Sequence, residues 1–458
     1  MRGARLGVVL GFVICLLLYT AQVTIQGPAV YPLGPKHVRA VEKDEHGKQG
    51  APTRAGAVHG APQTKAGAPR GAGTEPGVRA PAWVVFNASS GKADRRRCLR
   101  AAPFQFQPLV RKEEFDWRIM SLVQSVRLDG PSGLPMRCDW VVGTRMSHWR
   151  KIAPNTAFGD LDAKPRTVFV MTENRQAFHD HILPCLDADE RFVLIVGDND
   201  MTTPRQLDVR YRYEPDVKLF SPKAASTTNF KYAAWLAWLR DPRIVHIFVE
   251  HLDEKALAKV SPIPVGLNPQ EMSRGVMRLS AEDMAKRFTA APLASRPLKA
   301  RFMHRIRNGI GQWALRAKTR VACDTKWKDT CVSGAPVHGD GYYHEIAKYP
   351  FLICAHGGGI DPNPSLWSAL LVGTIPIIER FASDSMYRDL PVVVLQDLPN
   401  ANLSRGQLQI WRDSLGKMFE GRDHRRVLQR LSSDYWWNQV MSKVHLHATT
   451  TPAPMAHR

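Results

Sequence analysis

The stretch YPFLICAHGGGIDPNPSLWSALLVGTIPIIE, residues 349–379, decides the fold class. Residues 351–354 and 374–378 are short apolar runs of the kind that form buried strands. Between them, a loop with three successive glycines leads into a helical segment with Pro364 at its first position and Gly373 just past its end. Strand, loop, helix and strand make a βαβ unit, the connection that parallel strands require.

The glycine loop of this unit is a candidate phosphate site, because glycines before a helix N-terminus let the backbone approach an anion. Asp361 could reach a ribose hydroxyl, and His356 could donate to a phosphate oxygen. The alternatives are that Asp361 is only a turn residue, that His356 is a solvated loop residue, and that the whole is an ordinary buried βαβ unit with a flexible loop. The candidate donor-binding residues here are His356, Gly357, Gly358, Gly359, Asp361 and Ser365.

The N-terminal sequence predicts that the chain enters the secretory pathway. Arg2 and Arg5 precede an uncharged apolar run at residues 6–20. This pattern indicates a signal peptide or, as favoured here, an uncleaved signal-anchor within residues 1–23, with the rest of the chain in the lumen. A luminal chain is not expected to bind nucleic acid, although its net charge is +21.

Cysteines and sequons fit a luminal placement. Cys15 lies in the apolar run, and the six other cysteines are enough for three disulfides in an oxidising compartment, with the pairing left open. Cys323 and Cys331 are the favoured pair because they enclose a short polar loop. Zinc binding is the alternative, but no ligand cluster supports it. Asn87 and Asn402 begin N-glycosylation sequons.

Composition divides the remaining chain. Residues 24–105 are rich in Ala, Gly, Pro, Lys and Arg, which predicts a disordered basic stem. Strand and helix patterns then alternate in two blocks, 106–268 and 269–445, followed by a tail at 446–458. This alternation predicts an α/β protein with two Rossmann-like, doubly wound domains, and a ligand cleft between them.

Three carboxylates follow predicted strands of the first block. Asp198 and Asp200 come after the apolar run 192–196, and Glu250 follows the run 244–249. Each is a candidate base for a hydroxyl group, and the sequence does not choose among them. Asp198 and Asp200 could alternatively hold a divalent cation, or simply form a turn.

The second block begins with a basic run that offers phosphate contacts. Arg305 and Arg307 are the favoured pair because they directly follow a predicted strand, and guanidinium groups bind phosphate in a bidentate manner. A solvated cationic face is the alternative. The run consists of Arg301, Arg305, Arg307, Arg316, Lys318 and Arg320.

Three motifs carry a resemblance to a known family. IPVGL (263–267), YPF (349–351) and SLWSALLVGTIPII (365–378) resemble the core of inverting, exostosin-like glycosyltransferases, and the spacing of residues 366–376 is similar to that of α1,3-fucosyltransferases. The resemblance implies a type II Golgi membrane protein of the two-domain GT-B fold. It would use a UDP- or GDP-sugar as donor and a glycan or glycoprotein as acceptor, with no bound cofactor and no divalent metal. It also allows a homo-oligomer.

Departures from both families keep other readings open. Ser365 and Ser368 stand where exostosin-like proteins carry an Arg and an acidic residue, and Pro364 and Ser365 replace the Glu and Lys of fucosyltransferases. One alternative is therefore a luminal glycan-binding protein of the same fold without activity. The other is a metal-dependent GT-A transferase that uses the Asp-x-Asp at 198–200.

Overall fold

The chain was analysed as a computed structural model. It describes residues 92–109, 126–127, 130–131, 133–143, 156–198, 200–205, 230–255, 257–267, 279–288, 291–306, 314–357, 359–360 and 364–450. These residues belong to one compact unit, Arg79–Arg458. The predicted signal-anchor, Asn87 and most of the predicted stem lie outside the described residues. Within the described ranges, no helix combines the length and the apolar character that crossing a membrane requires.

Strands and helices alternate through most of the described chain. The strands are β1 Gln105–Gln107, β2 Val126–Arg127, β3 Gly130–Pro131, β4 Trp140–Val142, β5 Thr156–Phe158, β6 Thr167–Met171, β7 Phe192–Gly197, β8 Ile244–Val249, β9 Val260–Pro262, β10 Ala300–Phe302, β11 Cys331–Ser333, β12 Phe351–Ile353, β13 Ile375–Glu379 and β14 Val393–Leu395. The α-helices are α1 Lys92–Ala101, α2 Arg175–Ala177, α3 Tyr232–Arg240, α4 Ala281–Phe288, α5 Ala314–Asp324, α6 Asp340–Ile346, α7 Pro364–Leu371, α8 Arg405–Leu415, α9 Gly421–Arg430 and α10 Ser433–Thr450.

The first sheet has the strand order β1-β5-β4-β6-β7-β8-β9. Strands β4, β6, β7, β8 and β9 run parallel, whereas β5 is antiparallel to β4. Every residue of β6 and β7 is buried. Such continuous apolar strands are expected where helices cover both faces of a parallel sheet.

The second sheet is entirely parallel, with the order β11-β10-β12-β13-β14. In chain order this is 2-1-3-4-5, so the order reverses between β10 and β12. Ligands of such sheets bind at the carboxyl ends of the strands beside this reversal. Two blocks of parallel strands and helices confirm the predicted α/β class.

The βαβ unit that the sequence predicts at residues 349–379 is present. Strands β12 and β13 pair in parallel, with α7 between them in the chain. Gly373 has a φ of 65°, and the N–H of Thr374 donates to the Ala369 carbonyl at 2.9 Å. This is the Schellman arrangement, in which a left-handed glycine ends a helix.

The predicted stem is too long at its C-terminal end. Helix α1 falls within the range 24–105, yet it is attached to the first domain. Cys98 forms a disulfide with Cys185, and the buried Arg95 guanidinium donates to Glu190 at 2.5 Å. The charge-rich composition of α1 resembles the stem, and it gives no sign of these distant partners.

Disulfide formation also differs from the expectation. Cys323 and Cys331, the pair that the sequence favours, are joined, with 5.3 Å between their Cα atoms. Cys138 and Cys354 are buried thiols. The described residues therefore contain two disulfides and not three, because these last two cysteines lie in the core instead of facing each other as a bonded pair.

Candidate active site

Acidic and imidazole groups gather at the carboxyl edge of the first sheet. Strands β7 and β8 are parallel neighbours, so the residues that follow them lie together. The backbone N–H of Asp198 donates to the Glu250 carboxylate. The other oxygen of that carboxylate, Oε1, lies 3.6 Å from Nε2 of His251. Glu250 is thus buried between its two neighbours, while Asp200 is exposed beside them.

The backbone at this edge is strained. Asp198 has a φ of 67° and His251 a φ of 50°, and among the described residues these are the non-glycine residues with positive φ. Left-handed backbone costs about 1–2 kcal/mol for a residue with a Cβ. Such conformations concentrate where a function fixes the geometry, which marks the ends of β7 and β8 as a site.

Burial keeps the His251 imidazole neutral. It lowers the pKa of His251 to about 4, against the smaller opposing effect of the Asp200 charge. The imidazole is therefore unprotonated at neutral pH, and Glu250 lies close enough to stabilise the charge that would form if the ring took a proton. Neither the sequence pattern nor any motif singles out His251, which sequence reasoning missed.

The glycine loop of the second sheet contacts this edge. A Cβ atom at position 359 would lie 2.2 Å from Cε1 of His251, so only a glycine fits against the ring. After β13, the hydroxyl of Ser383 donates to the Leu252 carbonyl at 3.1 Å. The carboxyl ends of both sheets therefore meet at one place, where the two-domain prediction expects a ligand cleft.

Other residues of the loop and helix are turned inward. His356, Ser365 and Ser368 are all buried. Ser365 interacts with the Cys354 thiol, and the Ser368 hydroxyl donates to the Pro364 carbonyl within α7. The side chains of the two serines therefore lie in the packed interior around α7 and not in an open cleft. Gly358 and Asp361 lie outside the described residues, so their proposed roles stay predictions.

A second feature of the site is a cavity of about 450 Å³ at the carboxyl ends of β10 and β11. It lies beside the reversal of strand order, where a nucleotide is expected. Its cationic and imidazole side chains outnumber its aliphatic ones. The lining residues are His304, Arg305, Ile306, Arg320, Gly334, Ala335, Pro336 and His338.

The basic run separates into structural and cavity-lining side chains. Arg301 is buried and forms an ion pair with Glu345 at 3.0 Å, and Arg316 is buried and donates to the carbonyls of Ala355 and Arg305. Exposed Arg305 and half-buried Arg320 line the cavity, although Arg320 also pairs with Asp324 at its surface end. Arg307 lies outside the described residues.

In the described part of the chain, no group of three His, Cys, Asp or Glu side chains is arranged to hold an ion. The divalent-cation role of Asp198 and Asp200 stays a prediction.

A buried arginine, Arg175, stabilises the carboxyl edge of the first sheet. Arg175 donates from Nη1 to the Thr203 hydroxyl at 2.5 Å and from Nε to the Thr172 carbonyl at 2.7 Å. Burial lowers its pKa to about 9, against the opposing charge of Asp253. Arg175 thereby fixes the segment that follows Asp200. An arginine in a short helix gives no sequence signal for this role.

No protein-family profile matches the chain, and no curated protein sequence matches it. Some solved structures are similar at low identity. Sucrose-phosphate synthase from Thermosynechococcus elongatus shares 10% identity over 62% of this chain and 73% of its own, with a TM-score of 0.33. Spinosyn rhamnosyltransferase complexed with thymidine diphosphate shares 13% over 62% and 72%, with a TM-score of 0.24. A GtfA/B complex shares 10% over 61% and 57%, with a TM-score of 0.27. At these TM-scores, function has to be argued from the chain's own residues.

Proposed function

We propose that this protein is a glycosyltransferase of the GT-B type, which moves a sugar from a nucleotide sugar to a hydroxyl of a glycan or glycoprotein. One observation carries the proposal: His251, at the edge of the first sheet, packs directly against Gly359, in the candidate phosphate loop of the second sheet. A donor whose diphosphate lies at that loop would place its sugar beside the Glu250–His251 pair.

The donor end of the site would be held by backbone and arginine groups. The glycine loop gives a diphosphate close access to backbone N–H groups, and the N-terminal end of α7 supplies a favourable dipole. Arg305 is exposed at the neighbouring strand end and can neutralise a leaving diphosphate. With these groups in place, the proposed reaction does not use a divalent metal.

The acceptor end would use His251 as the base. The neutral imidazole, whose Nε2 lies 3.6 Å from the Glu250 carboxylate, would take the proton of the acceptor hydroxyl. The acceptor oxygen bonds to the anomeric carbon, the bond from that carbon to the diphosphate oxygen breaks, and the diphosphate leaves with the electron pair. Glu250 acts as a positioning residue that stabilises the imidazolium. Asp198 and Asp200 remain alternative candidates for the base.

The proposed location is the Golgi lumen, with a type II anchor at residues 6–20. It is supported by the two disulfides and by the exposure of Asn402, whose sequon lies just before α8. Glycosidase treatment of the protein from a secretory cell tests the luminal location. A mobility shift that Asn402→Gln reduces is expected, and an unshifted protein would contradict a luminal placement.

Calorimetry of the full chain in detergent tests the function. UDP, GDP, dTDP and their sugars would be titrated with and without EDTA. We expect at least one nucleoside diphosphate to bind equally in both conditions. Arg305→Ala should weaken it about tenfold, the worth of a charge-assisted hydrogen bond. Arg425→Ala, an exposed arginine of α9, is the matched control and should not change the affinity.

One observation favours a second candidate, a glycan-binding protein without activity. Ser365 and Ser368 are turned into the core, so α7 offers no charged side chain to a donor. If none of the nucleotides binds while glycans do, this second function replaces the first. Nucleotide binding that EDTA abolishes would instead point to a metal-dependent transferase that uses Asp198 and Asp200.

A further inference from the structure

The ring of His304 has a defined tautomer. His304 follows β10, and its Nε2 lies 2.7 Å from the carbonyl oxygen of Ile353 in β12. Because a carbonyl only accepts hydrogen bonds, Nε2 must carry the hydrogen. The other ring nitrogen, Nδ1, then has a lone pair as long as the ring stays neutral.

The ring is neutral at physiological pH. Burial, and next the charge of Arg316, lower the pKa of His304 to about 3. None of the described residues donates a hydrogen bond to Nδ1. Among the described residues, Nδ1 is also not one of the fully buried side-chain atoms that lack a hydrogen-bond partner. His304 lines the cavity, and Nδ1 is the hydrogen-bond acceptor that it can offer to a ligand there.

In this cavity, the Nδ1 acceptor lies among hydrogen-bond donors. The cavity-lining side chains Arg305 and Arg320 can only donate, and the other lining residues apart from His338 are aliphatic, proline or glycine. A phosphate, which at neutral pH mainly accepts hydrogen bonds, suits the arginines but is repelled by Nδ1. The partner of His304 must carry an N–H or O–H group.

The strand order would bring the base of a bound nucleotide to this point. The candidate phosphate loop follows β12, β10 is the next strand, and β11 lies beyond it. Neighbouring strands are about 4.8 Å apart, so the loop and the far wall of the cavity are roughly 10 Å apart. A nucleoside diphosphate with its phosphates at the loop would extend across β10, and its base would reach the cavity.

We propose that His304 is a specificity-determining residue, which accepts a hydrogen bond from the ring N–H of the donor's base. Uracil, thymine and guanine carry such a ring N–H at neutral pH, whereas cytosine and adenine do not. The inference rests on the proposed nucleotide-sugar function and names the base class of its donor.

Binding measurements on the full chain test the proposal. Wild-type protein would be titrated with UDP, GDP, CDP, ADP, pyrophosphate, N3-methyl-UDP and N1-methyl-GDP. We expect UDP or GDP to bind about tenfold or more tightly than CDP and ADP, and methylation of the ring nitrogen to remove that advantage. Pyrophosphate should bind regardless of the base-recognising group.

Variants separate recognition from structure. His304→Phe should bind the preferred nucleotide and its methylated analogue equally, with unchanged affinity for pyrophosphate. His304→Gln, whose amide can donate to Ile353 and accept from a base, should retain part of the preference. His344→Phe, at an exposed position of α6, is the control and should behave as wild type.

The outcomes are distinct from those of the proposed function. If no nucleotide binds at all, the glycosyltransferase proposal fails and this inference falls with it. If a nucleotide binds but ring methylation costs nothing in the wild type, or His304→Phe weakens pyrophosphate equally, the nucleotide function stands and the role of His304 is overturned.

Discussion

The imidazole of His251 lies against the backbone of Gly359, and these two residues come from different sheets. A Cβ at position 359 would fall 2.2 Å from Cε1 and 2.5 Å from Nδ1 of the ring, distances at which either the loop or the ring must move. The ring cannot move freely, since His251 is buried and its Nε2 lies 3.6 Å from the Glu250 carboxylate. The glycine therefore sets how closely the two halves of the cleft approach.

Gly359→Ala should consequently disturb the site more than the fold. We expect transferase activity to fall at least tenfold, because a displacement of about 1 Å at a reacting centre costs that much or more. Gly406→Ala is the matched control, since no atom lies within 4 Å of its added Cβ. It lies in the exposed first turn of α8, where alanine should stabilise the helix by up to about 1 kcal/mol. Equal activity of the two variants would contradict the role of this contact.

Local sequence chemistry predicts the βαβ unit, because the apolar runs, Pro364 and Gly373 determine it within 31 residues. It does not predict which polar side chains face the cleft. Arg301 and Arg305 look alike in the sequence, but Arg301 lies within β10 and meets Glu345, a partner far along the chain. The contact of His251 with Gly359 is likewise long-range, and neither residue has a local pattern that reveals it.

The same limit explains the length assigned to the stem. Residues 92–101 continue its basic composition, and only the pairing of Cys98 with Cys185 and the burial of Leu99 show that they belong to the folded part. Composition averages over a segment, whereas attachment depends on single side chains with distant partners.

Glu250→Gln tests the base that the site provides. The amide keeps the shape of the side chain but removes the charge that would stabilise the His251 imidazolium. We expect kcat to fall by about tenfold to a hundredfold with little change in KM, within the range of general base catalysis. Losing a nearby negative charge lowers the pKa of a histidine, so the acid limb of the kcat/KM profile should move to lower pH. Glu420→Gln, at an exposed position, is the control; an unchanged profile in Glu250→Gln would exclude the pair.

Because burial lowers the pKa of some histidines in the folded chain, we expect the protein to lose stability at mildly acidic pH. Burial, with the charges of Lys443 and Lys259, lowers the pKa of His246 to about 4, and its Nε2 lies 2.9 Å from the Ser261 hydroxyl. Between pH 6.5 and 4 the unfolded chain binds a proton here that the folded chain does not. Stability is therefore full above pH 6.5 and falls as the pH drops toward 4, by up to about 1.4 kcal/mol per pH unit for each such histidine.

His246→Gln, which does not titrate, should flatten that dependence. Urea unfolding at pH 7, 6 and 5 measures the slope, which should be smaller in the variant even if its stability at pH 7 is lower. His179→Gln is a comparison of the same kind, because burial lowers the pKa of His179 as well. A slope identical to that of the wild type in both variants would mean that these histidines are not neutral in the folded chain.

The two disulfides should differ in what they contribute. Cys98 and Cys185 are 87 residues apart, whereas Cys323 and Cys331 are 8 apart. In the chain-entropy estimate, the longer loop gives about 4.5 kcal/mol and the shorter about 2.5 kcal/mol. Replacing the first pair by serines should lower the Tm more than replacing the second, as measured by calorimetric unfolding. The reverse order would show that the attachment of α1 matters less than the burial of Arg95 and Leu99 suggests.

Arg296 stabilises the turn that follows α7. Its Nη1 donates to the Gly373 carbonyl at 3.0 Å and to the Thr374 hydroxyl at 2.9 Å, and its Nη2 donates to the Val372 carbonyl at 3.2 Å. Burial lowers the pKa of Arg296 to about 10, so the group stays charged at neutral pH. One guanidinium thus satisfies two carbonyl groups of the turn that ends α7, together with one hydroxyl group.

Arg296→Met should therefore destabilise the protein by about 2–4 kcal/mol, because it fills the space but leaves buried carbonyls without donors. Arg296→Lys should recover only part of this loss, since a single ammonium cannot match the spread of the fork. Arg425→Met, at an exposed position of α9, removes the same charge without these bonds and should change the free energy of unfolding by less than about 0.5 kcal/mol. If Arg296→Met unfolds in urea at the same midpoint as Arg425→Met, the C-terminal end of α7 is stabilised by Gly373 and its backbone hydrogen bonds alone.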